Sequence, residues 1–82
     1  MAILNITYKG IAADYTLSVD ASVTDDDLRR IAAEVVRAGD VRGLVVPELA
    51  PSAFSGYVVD RLKGPDGEER YYIRPAVPFG CA

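Results

Sequence analysis

The chain has 82 residues, of which half are hydrophobic and about a quarter are charged, and its formal net charge at pH 7 is −3. This length predicts a single domain, residues 1–82, and this balance is typical of a folded rather than a disordered chain. The acidic charge disfavours nucleic acid as a partner, because phosphate contacts need clustered lysines and arginines. No apolar run approaches the ~18 residues of a membrane-spanning helix and no signal peptide is recognisable, so we expect a cytoplasmic protein without membrane contact.

Side chains that commonly carry catalysis are scarce. The sequence has no histidine and a single cysteine, Cys81. One chain therefore cannot build a zinc site or a Cys–His pair, and its commonest general base is missing. The seven glycines are scattered at predicted turns and form no phosphate-binding loop. We expect a protein that is not an enzyme and has no cofactor or metal, and we interpret Cys81 as an incidental terminal residue, with a reactive thiol as the alternative.

The chain opens with a predicted antiparallel hairpin. Residues 3–9 and residues 15–20 both alternate apolar and polar side chains, as a strand with one buried face does. Gly10 to Asp14 are assigned to the turn. The side chains expected on the buried face are Leu4, Ile6, Tyr8, Tyr15, Leu17 and Val19.

Residues 24–38 form the one strongly predicted helix. Apolar residues recur at intervals of three and four, at Leu28, Ile31, Ala32, Val35 and Val36. Thr24 is a favourable N-cap, Asp27 stands at the acidic position of a capping box, and Gly39 follows the last turn. Three consecutive aspartates raise the alternative of a cation site. Carboxylates in the first turn are favoured by the helix dipole, and no calcium-loop sequence surrounds them, so we interpret them as capping residues.

The signal is weaker after the helix. The apolar run within residues 41–47 is compatible with a short strand. Two prolines predict a loop over residues 47–55, with Phe54 anchoring it to the core. The last residues, 75–82, hold two more prolines and predict an extended tail.

A second hairpin is predicted from residues 57–63 and 69–74, around Gly-Pro-Asp-Gly at 64–67. A register that pairs Arg61 with Glu69 and Asp60 with Arg70 sets opposite charges across the strands. The expected inward side chains are Tyr57, Val59, Tyr71 and Ile73. The expected outward side chains are Val58, Asp60, Arg70, Tyr72 and Arg74.

Together these elements predict an α+β fold of ββαββ type, a small mixed sheet with one helix across one face. The segment from Tyr15 to Leu28 resembles the second strand, linker, threonine cap and helix start of β-grasp, or ubiquitin-like, domains. The resemblance covers roughly the first half of the chain. It implies a protein-binding module, a covalent modifier or a sulfur carrier. The last two need a C-terminal Gly-Gly, whereas this chain reads Gly80-Cys81-Ala82, so conjugation through a processed Gly80 is disfavoured.

The expected function is a non-catalytic protein–protein interaction module, with Arg70, Tyr72 and Arg74 as the candidate partner-binding residues. Tyrosine and arginine are enriched in interface hot spots, although an ordinary solvated sheet surface would show the same pattern. One alternative is single-stranded nucleic-acid binding, with bases stacked on Tyr72 and phosphates bound by the two arginines. Another is a small homo-oligomeric structural or phage accessory protein, joined through an edge strand or through Val77–Phe79.

Overall fold

The computed structural model describes residues 2–20 and 22–76 of the chain. Their elements, in chain order, are β1 (Ala2–Tyr8), β2 (Ile11–Leu17), α1 (Asp25–Ala38), β3 (Val58–Lys63) and β4 (Glu69–Arg74). The strands form one mixed sheet in the order β2-β1-β4-β3, and α1 packs across one of its faces. The predicted α+β fold with ββαββ order is confirmed. Val77, Phe79, Gly80 and Cys81, for which the sequence analysis makes predictions, lie outside the described residues.

The two central strands are parallel and the two outer pairs are antiparallel. Leu4 lies beside Tyr71, and Ile6 lies beside Ile73, across the central pair. All four of these side chains are buried beneath α1. The core therefore lies between the middle of the sheet and the helix.

The first hairpin turns earlier than the sequence predicts. The turn is Lys9–Gly10 alone, with φ angles of 50° and 83°, so β2 begins at Ile11 and ends at Leu17. Two left-handed residues in a two-residue loop match the twist of the flanking strands. The prediction of a turn over Gly10–Asp14 was wrong because the alternation seen at Tyr15 and Leu17 continues backwards to Ile11. The predicted facing of the strands is unchanged.

Local capping explains where α1 begins and ends. The backbone N–H of Asp27 donates to the Thr24 hydroxyl at 3.0 Å, and Gly39 adopts a left-handed conformation with φ 82°. The pKa of the Asp27 carboxyl is lowered by the side-chain hydrogen bond with Thr24, by Arg30 and by the Thr24 backbone. Threonine and aspartate thus cap each other reciprocally, as a capping box does. The predicted capping role of these acids is confirmed for Asp27.

The segment between α1 and β3 contains no strand among its described residues, and the run within 41–47 contributes to the core differently. Val41 and Leu44 are buried, whereas Val45 is 54% exposed. The Val46 N–H donates to the Val36 carbonyl at 3.2 Å and ties the segment to the last turn of the helix. This tie uses the backbone group that a strand would need for a partner strand.

Phe54 anchors the loop, as predicted. Its side chain is 1% exposed, and its ring meets Tyr8 and Tyr57 edge to face, with centroids 5.7 Å and 4.8 Å apart. Such aromatic pairs stabilise by about 0.5–1.5 kcal/mol beyond the burial of their area. The loop is therefore held to the sheet at the end of β1.

The register of the second hairpin differs from the charge-based prediction by two residues. Arg61 lies opposite Tyr71, and Asp60 lies opposite Tyr72, instead of Glu69 and Arg70. In the predicted register Lys63 would lie opposite Gly67, so a three-residue loop would place Asp66, rather than a glycine, at its left-handed third position. In the structure, Gly64 pairs with Glu68, and Gly67 takes a left-handed φ of 81° in a three-residue loop. A shift of two preserves the facing of every side chain, so the predicted inward and outward sets are confirmed.

Candidate functional site

The sheet has one face that α1 does not cover, which we call the outer face. Neighbouring strands place its side chains in rows, such as Asp14–Asn5–Tyr72–Asp60. The outer face comprises Ile3, Asn5, Thr7, Ala12, Asp14, Thr16, Val58, Asp60, Leu62, Arg70, Tyr72 and Arg74. None of these side chains is buried, whereas every fully buried strand residue points towards the helix. Among residues 2–20 and 22–76, nothing buries the outer face, which is accessible across all four strands.

The three predicted site residues occupy alternate positions of β4 and share the outer face. Tyr72 lies near its middle, between Asn5 of β1 and Asp60 of β3, and is partly exposed. Apolar side chains flank this centre at Ile3, Val58 and Leu62, and Leu62 is 56% exposed. A tyrosine offers a large apolar ring and a polar tip, which suits a surface that exchanges water for a partner. The alternation of side chains in the sequence correctly predicts that these three residues share one face.

Both arginines of the site are held by carboxylates. The Arg70 Nε donates to Glu68 Oε2 at 2.8 Å, and the Arg74 Nε donates to Asp60 Oδ2 at 2.8 Å. The Asp60 contact is diagonal across the strands, and Glu68 lies just before β4, two residues from Arg70, so neither contact follows from direct opposition. Each guanidinium is therefore paired with a neighbouring carboxylate rather than presented as an unpaired charge.

The electrostatic balance of the face is not basic. Its two arginines are accompanied by Asp14, Asp60 and the adjacent Glu68. Asp14 accepts a hydrogen bond from the Asn5 amide nitrogen at 2.8 Å. A phosphate bound at either arginine would lie close to a carboxylate of the same sign of charge, which opposes its binding. The face is better matched to a partner that offers mixed polar and apolar groups.

Glu68 allows the site's ion pair to be tested by pH. Its pKa is lowered by its own backbone N–H and by the Arg70 guanidinium. A carboxyl with a lowered folded-state pKa contributes stability above its unfolded pKa and loses it as pH falls through the folded value. We expect Glu68→Gln to flatten the acidic limb of the stability–pH curve. Denaturant unfolding between neutral and acidic pH measures this, with exposed Glu48→Gln as the control. Parallel curves for Glu68→Gln and wild type would contradict the pairing.

An apolar cleft, which the sequence analysis does not predict, lies on the helix side of the sheet. It encloses about 530 Å³ between the tip of the first hairpin and residues 43–53. Ile11 and Val45 line the cleft. Both are large aliphatic residues, yet 48% and 54% of their respective surface areas are exposed to solvent. The Lys9 ammonium lies 5.4 Å from the centroid of the Tyr8 ring at the same end. The sequence does not indicate this cleft, because the predicted turn over Gly10–Asp14 includes Ile11, which the structure places in β2.

The arrangement offers recognition by hydrogen bonds, ion pairs and apolar contact. Within residues 2–20 and 22–76, no group of three or more His, Cys, Asp or Glu side chains is placed to hold a metal ion. In the same part of the chain, no helix is long and apolar enough to cross a membrane. Comparison of the chain with protein-family models, curated proteins and solved structures found no match.

Proposed function

We propose that the chain is a non-catalytic protein-binding module that recognises another protein through the outer face of its sheet. The observation that carries the proposal is the position of Tyr72 on a four-stranded face that α1 leaves uncovered, between two arginines that are each paired with a carboxylate. Tyrosine and arginine are the residue types most often found at interface hot spots. The proposal places the protein in the cytoplasm.

The ubiquitin-like class is part of the proposal. A helix that follows the first hairpin and crosses one face of a ββαββ sheet supports the β-grasp resemblance seen between Tyr15 and Leu28. A fold does not define a function, so the argument for binding remains with the side chains of the outer face.

Pre-orientation gives the arginines a physical role in such an interface. A long side chain that is ordered only on binding costs about 0.5–1.5 kcal/mol. Arg70 and Arg74 are already held by Glu68 and Asp60, so part of that cost is met before the partner arrives. Arg70 also has a side-chain hydrogen bond with Tyr72, and the guanidinium donors that these contacts do not use can bind carbonyl or carboxylate oxygens of a partner.

The test is partner capture by three immobilised proteins. They are wild type, the double variant Tyr72→Ala/Arg74→Ala, and the control double variant Glu34→Ala/Arg37→Ala on the exposed face of α1. We expect one or more proteins from an extract of the source organism to be retained by wild type and control but lost by the outer-face variant. Affinity for the purified partner should then fall at least about tenfold in the outer-face variant. Equal retention by a folded outer-face variant would remove this face from consideration.

Single-stranded nucleic acid is the competing ligand for the same residues. The ion pairs of both arginines and the acidic surroundings count against it. Filter binding of single-stranded DNA and RNA at low salt separates the two, because phosphate-dependent binding is strongest there. Retention of nucleic acid that is lost in Tyr72→Ala/Arg74→Ala would favour this second function over protein binding.

A further inference from the structure

The two edges of the sheet differ in how well they are protected against pairing with another strand. Three of the six residues of β3 are charged, and its Arg61 guanidinium donates to the Val23 carbonyl at 2.6 Å and to Asp25 at 2.8 Å. The chain that leads into α1 therefore lies beside this edge. Charged side chains and a covering segment are the usual means by which proteins block an edge strand.

Strand β2 has neither charged side chains along its edge, apart from Asp14, nor a covering segment among the described residues. It has no proline and no lysine, and Asp14 is its single charged residue. Seven consecutive pairs with β1, from Ala2↔Leu17 to Tyr8↔Ile11, leave no bulge in it. A long, regular and mostly uncharged edge strand is a template for another strand.

The hairpin geometry identifies the free backbone groups of this edge. In a two-residue hairpin the closing pair, here Tyr8 and Ile11, is hydrogen-bonded, and bonded and non-bonded pairs then alternate. The N–H and C=O groups of Ala12, Asp14 and Thr16 therefore point away from β1. Among the described residues, none of the backbone hydrogen bonds made outside the strands and the helix involves these three residues.

We propose that β2 pairs antiparallel with β2 of a second copy of this chain, forming a twofold-symmetric dimer with a continuous eight-stranded sheet. A twofold axis makes one edge complementary to itself, so free groups of each strand bond free groups of the other. This inference concerns an edge of the sheet and does not depend on the function proposed for the outer face.

Charge and side-chain contact select one register. A dimer axis at Asp14 would set two carboxylates directly opposite each other, which is destabilising. An axis at Tyr15 would place Ile11 opposite position 19, beyond the end of β2. An axis at Ala13 pairs Ala12 with the partner's Asp14 and Ile11 with the partner's Tyr15. This last register bonds the free backbone groups of Ala12 and Asp14 and separates the like charges.

The same register explains the exposed apolar groups at the cleft. Side chains opposite each other across antiparallel strands lie about 4.5–5.5 Å apart, so the partner's Tyr15 would cover Ile11 at the mouth of the cleft. Val45, the other large exposed aliphatic residue there, lines the same cleft. By symmetry this contact between Ile11 and the partner's Tyr15 occurs twice, so dimerisation would remove an exposed apolar patch of each copy from solvent.

The experiment is sedimentation equilibrium combined with NMR over a dilution series. Interfaces of this small size associate weakly, so the apparent mass should rise from 8.8 kDa towards twice that value between about 10 μM and 1 mM. Over the same range the amide signals of Ala12 and Asp14 should shift more than those of Ala13 and Tyr15. A monomer throughout the series would overturn the proposal.

Two variants and one control locate the interface. Ala12→Pro removes a free N–H without removing a bond to β1, and Ile11→Lys adds a charge at the contact. Both should remain monomeric at the highest concentration, while Leu62→Lys, which changes an equally exposed residue on the opposite edge strand, should associate like wild type. If Ala12→Pro misfolds, the association measured for Ile11→Lys alone tests the pairing through β2. Association that survives Ile11→Lys, or that disappears in Leu62→Lys or on removal of residues 77–82, would refute pairing through β2.

Discussion

Leu28→Asp is expected to unfold the domain. Leu28 lies in the first turns of α1 and is 0% exposed, in contact with the core of the sheet. An unpaired carboxylate there costs several kcal/mol in addition to the lost apolar burial, whereas a chain of this size has a free energy of unfolding of about 4–12 kcal/mol. Far-UV circular dichroism and thermal melting measure the loss of structure directly.

The matched control for Leu28→Asp is Glu34→Asp, which introduces the same residue at an exposed position of the same helix. It should cost only about 0.3–0.5 kcal/mol, the order of the difference in helix propensity. A cooperatively folded Leu28→Asp protein, with a melting temperature near that of Glu34→Asp, would contradict the packing of α1 on the sheet.

Phe54→Ala is expected to reduce the free energy of unfolding by about 3–5 kcal/mol. The phenylalanine ring fills the space between Tyr8 and Tyr57, and its removal leaves a cavity bounded by β1 and the loop it anchors. Denaturant unfolding measures the difference. If the variant still folds, hydrogen exchange should accelerate first in residues 46–57, since their tie to the sheet is lost.

Ser52→Ala provides the control for this substitution, because Ser52 belongs to the same loop but is exposed. It should lie within about 0.5 kcal/mol of wild type. A Phe54→Ala variant destabilised by less than about 1 kcal/mol would show that the loop is held by other contacts, such as those of Leu44 and Leu49.

Features set by neighbouring residues could be predicted from the sequence. The ends of the helix were predicted within one residue, because capping depends only on the nearest turn of backbone. Thr24 and Asp27 cap its start, and Gly39 caps its end. The common face of Arg70, Tyr72 and Arg74 was predicted because alternation in a strand depends only on spacing. Both conclusions are insensitive to what the rest of the chain does.

Features set by geometry between elements could not be predicted in the same way. The charge argument favoured pairing Arg61 with Glu69, but the three-residue loop at 65–67 requires a different register. Arg61 binds Asp25 instead, a contact between residues far apart in the chain. An exposed ion pair contributes only about 0–1 kcal/mol, so turn geometry prevails when the two conflict.

The cleft is a third feature that could not be predicted from the sequence alone. It forms where the hairpin tip meets residues 43–53, and no periodicity in either segment indicates their contact. The one available signal was the alternation of Ile11, Ala13 and Tyr15, which extends β2 back to the hairpin tip. Reading that alternation through Gly10–Asp14 would have identified Ile11 as a strand residue with an exposed apolar side chain.

The parallel pairing of β1 and β4 also determines how the domain responds to force. The two strands run side by side in the same direction, so tension applied at Ala2 and at Ala76 pulls them past each other along their length. The backbone hydrogen bonds between them are then loaded together in shear, rather than opened one after another as at the end of a hairpin. A domain tethered through these two ends should therefore resist stretching along its central strands.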